Sequence, residues 1–336
     1  MFQAQLALLL VAATIWDRCA ANAMFYDVPV GRCRLGGTQG PSVSCIALGT
    51  LHFAETGNAS AVLSVIQNAV SLGITTFDLS DVYAQMPQLF GAALSLQPGL
   101  REKIEIIAKM DIVSSLTAFG FDSGSSYDTS TEHLNAVLDK YLTALNTTYI
   151  DVVLLHRQDY LLDFAEMAAC FAAWKQAGTV RYFGASNFGR DAFSALAKVV
   201  PLVANELEVS PLNPKALYDG TVAFHYGDGS TVLAWGPLGG DPWGGANRLF
   251  RVLSLDGTQR PARIRAGLAT VAAQLGDSAD VIAVAWLLRH PAKIIPILGT
   301  VNAVRLANQT RAVVLARAMT RQQWYYIADA AGVPIY

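Results

Sequence analysis

The chain has 336 residues, 53% of them hydrophobic and only 15% charged, with a formal net charge of −2. That much apolar material excludes a disordered or fibrous protein. The near-neutral charge, with no stripe of Lys and Arg, excludes nucleic acid as a partner.

In chain order, Leu6 to Trp16 is an apolar stretch followed by Asp17, Arg18 and an Ala21-Asn22-Ala23 run that looks like a signal-peptidase site. The stretch is too short to span a bilayer, no Lys or Arg precedes it, and Met24 offers an alternative start. Residues 1–23 are read as a signal-like or wrongly included extension, and residues 24–336 as one domain, a length that α/β barrels reach as a single unit. The expected location is the cytoplasm, with secretion as the alternative that residues 1–23 leave open, and no membrane contact. Cys19, Cys33, Cys45 and Cys170 lie far apart without CxxC spacing and read as reduced thiols, not metal ligands.

From Ser44 onward, strand-length apolar runs alternate with amphipathic stretches of helical length. Eight runs are predicted as strands: Ser44 to Gly49, Thr75 to Ser80, Ile104 to Met110, Ile150 to Arg157, Val180 to Asn187, Val203 to Ser210, Thr231 to Leu238 and Ile294 to Leu298. Eight is the number that closes a (β/α)₈ TIM barrel. Helices are expected at Ala59 to Leu72, Thr131 to Leu145, Phe164 to Ala177 and Arg190 to Val199, stopped by Gly73, Asn146, Gly178 and Pro201. Gly120 to Ser130 and Gly239 to Arg260 are too polar and turn-rich for staves and read as long loops over the mouth. An extra C-terminal helix, Thr320 to Ala331, is expected to pack outside the barrel.

A barrel's chemistry gathers where its strands end. Asp78 and then Tyr83 follow from the second run, Lys109 ends the third, His156 the fourth, Ser186 and Asn187 the fifth, Glu206 lies in the sixth and Trp235 in the seventh. A Lys paired to an Asp beside a phenol is expected to lower the phenol's pKa from its usual value near 10, making Tyr83 a general acid. His156 is placed to hold a carbonyl oxygen, with no metal required.

With that order and placement, Asp78, Tyr83, Lys109 and His156 resemble the catalytic tetrad of the aldo-keto reductases. Gly73-Ile-Thr-Thr-Phe-Asp78 and Gly184-Ala-Ser-Asn-Phe188 resemble two further motifs of that family. Within it, Leu154-Leu-His-Arg157, Ala234-Trp-Gly-Pro-Leu-Gly-Gly240 and Met319-Thr-Arg-Gln-Gln-Trp324 are similar to a bacterial branch of predicted oxidoreductases. The resemblance implies an NADP-dependent oxidoreductase that reduces an aldehyde or ketone to an alcohol, as a monomer or weak oligomer. It implies NADPH as cofactor, with NADH possible because Val301 and Asn302 stand where many relatives carry Lys or Arg.

The resemblance further implies that Gly49, Thr50, Ser186, Asn187, Glu206, Trp235, Gly236, Leu238, Gly239, Gly240, Gly299, Thr300, Arg305 and Gln309 hold the cofactor. Ser186 and Asn187 would take its carboxamide, Trp235 would stack on its ring, and Arg305 would meet its ribose 2′-phosphate or adenine. Glu206 departs from the family's usual Gln and could only accept a hydrogen bond when ionised. The substrate pocket would draw on Leu51, Phe53 and Arg157, together with residues around Phe119 to Tyr127 and Trp243.

Two other functions compete: a cofactor-binding regulatory or scaffold subunit with little turnover, and a lyase or isomerase using Lys109 as a Schiff base, which Asp78 opposes. Asp81 and Asp159 are read as helix caps. His52, His133, His225 and His290 show no mutual ligand spacing and are read as surface or satisfied histidines.

Overall fold

The computed structural model describes residues 30–83, 85–113, 124–239 and 259–335. The extension 1–23, Phe119, Gly240 and Trp243 lie outside them.

Eight parallel strands close a barrel: β1 (Ala47–Gly49), β2 (Thr76–Ser80), β3 (Glu105–Met110), β4 (Ile150–Leu155), β5 (Val180–Ser186), β6 (Leu202–Glu208), β7 (Thr231–Trp235) and β8 (Ile295–Leu298). Each pairs with its sequence neighbours, and β8 returns to β1 through Ile297↔Ala47. All eight expected runs supply a strand. The first differs in its start: Ser42–Ser44 forms an antiparallel hairpin with Arg32–Arg34, and the stave begins only at Ala47. That hairpin is a floor. Its Leu35 and Val43 are fully buried against the inward residues Ile107, Val152, Leu154, Leu233 and Ile295.

The floor also corrects the cysteine reading. Cys33 and Cys45 form a disulfide that clips the hairpin across a separation of 12 residues, while Cys170 is a buried free thiol.

Helices surround the staves where amphipathic periodicity places them: α1 (Ala59–Ser71), α2 (Met86–Ser95), α3 (Thr131–Leu145), α4 (Phe164–Ala177) and α5 (Arg190–Ala197). Ser130 caps α3 by accepting from the His133 amide, and Asn146 ends it in the left-handed region at φ 48°. The C-terminal helix Arg321–Ala330 starts in a capping box between Thr320 and Gln323. Its Trp324 stacks on Trp286 with ring centroids 5.2 Å apart.

Gly91 on α2 lets that helix lie directly on α3. A Cβ there would stand 1.9 Å from the Ala144 carbonyl oxygen and 2.7 Å from Leu145 Cα. Because backbone cannot yield as a flexible side chain does, Gly91→Ala is expected to cost about 1–3 kcal/mol, read as a lower thermal midpoint. An unchanged midpoint would show that α2 and α3 are not in this contact.

Candidate active site

Side chains alternate along a strand, so each inward face can be read by twos. The inward face runs Ile107 then Lys109 on β3, Val152 and Leu154 then His156 from β4, Ala204 then Glu206 on β6, and Leu233 then Trp235 on β7. The lower layers are apolar and the last is polar, which gathers the chemistry at the carboxyl end.

At that end Lys109 is 2% exposed and its Nζ donates to Asp78 Oδ1 at 2.6 Å and Oδ2 at 2.5 Å. It also lies 3.0 Å from Glu206 Oε1. Two carboxylates hold the ammonium charged and push its pKa up against the opposing effect of burial. Tyr83 follows β2 in a turn whose amide donates to the Ser80 carbonyl, and its ring centroid stands 5.7 Å from Lys109 Nζ. The expected lowering of its pKa does not occur. Burial of the phenol raises it well above 10; Lys109 pulls the other way, but Asp78 and Glu206 add to the rise. Tyr83 is therefore a fully protonated phenol at neutral pH.

His156 has its Nδ1 3.1 Å from Asp81 Oδ1 and 3.2 Å from Ser80 Oγ. Burial pushes its pKa down, with Asp81 opposing. Asp81 is thus no helix cap: one oxygen holds His156 and the other accepts from the Ile112 amide at 3.0 Å. Asp159 caps no helix either: one oxygen binds the Thr129 amide and hydroxyl, the other accepts from the Leu161 amide within a turn, and the following helix is capped by Asp163. Asp111, which sequence reasoning missed, is fully buried at φ 113°, and both its oxygens lie 3.2 Å from the Arg157 amide. Burial raises its pKa well above the ordinary value of an aspartate, with Asp81 and Asp159 adding to the rise and the amides of Arg157 and His156 opposing it. Its only sequence signal is an acid directly after the Lys109-Met110 strand end.

The residues expected at the carboxamide interlock. Asn187 donates to the His156 carbonyl and to Ser186 Oγ, and its Oδ1 accepts from Trp235 Nε1 at 3.1 Å. It does so with φ 58°. Gly236 and Gly239, at φ 59° and 73°, close a turn after β7 that buries Leu238. Gly49 pairs with Asp78 across β1 and β2, and the Thr50 hydroxyl is spent on the Asp78 carbonyl at 2.9 Å.

Between β7 and β1, Gly299 and Thr300 follow β8 and lead into helix Ala303–Thr310, where Arg305 is exposed and Gln309 buried. Gln309 Oε1 is buried without a hydrogen-bond partner among the described residues. A Cβ on Gly299 would meet nothing nearer than His52 at 3.8 Å. An orphaned acceptor on the helix that follows an open glycine turn fits the adenine end of a dinucleotide.

For the substrate side, Leu51 is partly exposed and Arg157 follows His156, but Phe53 is a correction. It is fully buried and packs on Phe77 and Phe90, outside the barrel wall and beneath α2. Among the described residues no group of three or more His, Cys, Asp and Glu could hold a metal. His225 is a core histidine bonded to Asn205 and Ser230, and burial lowers its pKa to about 4.

The model of the aldo/keto reductase family matches residues 45–331. The chain belongs to that family. This aldo/keto reductase is 35% identical to the oxidoreductase YdhF of Escherichia coli, over 87% of this chain and 95% of that one. It is also 35% identical to a 6-dehydroglucose reductase of Agrobacterium fabrum, over 80% and 87%. Among solved structures it superposes on the holo form of the aldo-keto reductase AKR11C1 from Bacillus halodurans with a TM-score of 0.74 at 21% identity, covering 91% of this chain and 98% of that one. At that identity the superposition speaks for the fold.

Proposed function

We propose that this aldo/keto reductase reduces an aldehyde or ketone to an alcohol with NADPH, Tyr83 serving as the proton donor. The observation that carries this reading is the buried Lys109–Asp78 pair set beside a protonated phenol and a carboxylate-held histidine. Ser186, Asn187, Trp235 and Gln309 would hold the cofactor, which would supply hydride when bound. The chain's residues do the rest. The Tyr83 hydroxyl donates to the carbonyl oxygen and then delivers its proton to it, Lys109 stabilises the phenolate left behind until solvent reprotonates it, and His156, whose Nδ1–H is given to Asp81, orients the substrate through Nε2 as an acceptor. The Agrobacterium relative's name supports a keto-sugar as one candidate substrate.

Asp81 is expected to act through His156 by fixing its tautomer. Asp81→Asn should lower kcat about 10–100-fold while leaving cofactor affinity unchanged. Unaltered kcat would remove Asp81 from the account. As to location, among the described residues no single helix is long and apolar enough to cross a membrane. The Cys33–Cys45 disulfide favours an oxidising compartment over the cytoplasm.

The test is NADPH absorbance with an aromatic aldehyde or a keto-sugar, repeated with NADH. Oxidation that prefers NADPH supports the reading. Tight NADPH binding without oxidation of any carbonyl would favour a regulatory subunit instead.

A further inference from the structure

Lys109 is shared. Asp78 holds it with both oxygens at 2.6 and 2.5 Å, and Glu206 approaches with Oε1 at 3.0 Å and Oε2 at 3.3 Å. All three side chains are at most 3% exposed. With the Gln that the family resemblance leads one to expect at position 206, the cluster would be neutral. With Glu206 ionised it carries one uncompensated negative charge, which an apolar barrel disfavours.

Among the described residues packed against it, none supplies the missing positive charge. From the turn after β2, Tyr83 presents a neutral phenol. From β5, Ser186 Oγ and the Asn187 amide are taken by the Glu206 carbonyl rather than its carboxylate. From β4, His156 is held near neutrality by burial and faces Asp81. Two carboxylates on one ammonium behave as one titrating unit, and the cheapest way to neutralise it is a retained proton. Burial and Asp78 together raise Glu206 to about pH 8 against the pull of Lys109.

Resting on the reading of the preceding subsection, we propose that Glu206 retains a proton in the cluster it forms with Lys109 and Asp78. The proton leaves to solvent when the oxidised, cationic nicotinamide binds, and it stays when the reduced, neutral one binds. The proton lost balances the positive charge gained, so affinity for the oxidised cofactor rises with pH while affinity for the reduced one does not follow it. Low pH then favours release of the oxidised product of carbonyl reduction. High pH favours its retention and the reverse reaction, alcohol oxidation.

The test is the dissociation constants of NADP⁺ and NADPH, measured by tryptophan quenching from about pH 6 to 9.5. Their ratio cancels the ionisation of the phosphates common to both. In the wild type the NADP⁺/NADPH ratio of dissociation constants should fall by about tenfold per pH unit at its steepest and flatten above pH 8. Glu206→Gln should flatten it throughout, as should Asp78→Asn, which leaves Lys109 a single carboxylate. A ratio that stays flat in the wild type, or keeps its slope in both variants, overturns the proposal.

A cofactor-free measurement separates this idea from the functional reading. The infrared difference between wild type and Glu206→Gln at neutral pH should show the carbonyl band of a protonated carboxyl, a difference to which the buried Asp111, common to both proteins, does not contribute. Its absence from that difference overturns the retained proton. Absence of any nucleotide binding with the band present overturns the functional reading, and with it the cofactor linkage.

Discussion

Replacing Tyr83 by Phe is expected to reduce turnover by about 10²–10⁴-fold while the dissociation constant for NADPH changes by less than about twofold. The phenol is held protonated by burial, and its hydroxyl reaches Lys109. It therefore has its effect when the carbonyl oxygen gains charge, not when the cofactor binds. The ring remains in Phe, so the 5.7 Å contact with the Lys109 ammonium and the packing of the turn survive. A deficit in kcat with little change in binding follows from that division. Equal turnover in the variant and the wild type would end the role given to Tyr83, and equal losses in turnover and binding would make it a packing residue.

The second large effect is structural. Cys33→Ser with Cys45→Ser is expected to lower stability by about 3 kcal/mol, because the disulfide closes a loop of 12 residues in the unfolded chain. That loop contains Leu35 and Val43, whose burial seals the barrel floor. Activity at moderate temperature should persist, since the hairpin lies at the end of the barrel opposite Lys109 and His156. Thermal unfolding with and without a reductant is the check. A midpoint indifferent to both reductant and mutation would mean that the pair contributes nothing to folded stability.

The barrel was legible because its signal is repeated. Each stave offered an apolar run of the right length, and the polar residue closing the inward face of β3, β4 and β6 (Lys109, His156 and Glu206) stood out against the apolar residue two positions before it. What escaped the sequence was pairing across distance. Cys33 and Cys45 carry no signature of a disulfide until the hairpin between them is seen to fold back on itself. Phe53 is one turn past a strand end, which suggests a pocket, yet it falls on the outer side of the wall with Phe77.

Asp81 resembled a cap because an acid before a helix usually is one, whereas here His156, 75 residues away, reaches its carboxylate first. The sign of the Tyr83 shift differs from the sequence expectation for a related reason. The neighbouring ammonium is visible in the sequence, but the burial and the second carboxylate that outweigh it are not.

In the proposed reaction hydride passes directly from the cofactor to a carbonyl carbon while Tyr83 protonates the oxygen. This is tested most directly by running the reaction with NADPH deuterated at the nicotinamide C4 and locating the label by mass spectrometry. One deuterium is expected on the alcohol's carbinol carbon, none in the water, and the same position of label in the slow residual reaction of Tyr83→Phe. Label lost to solvent, or product formed unlabelled with a carbonyl adduct trapped on Lys109, would contradict it.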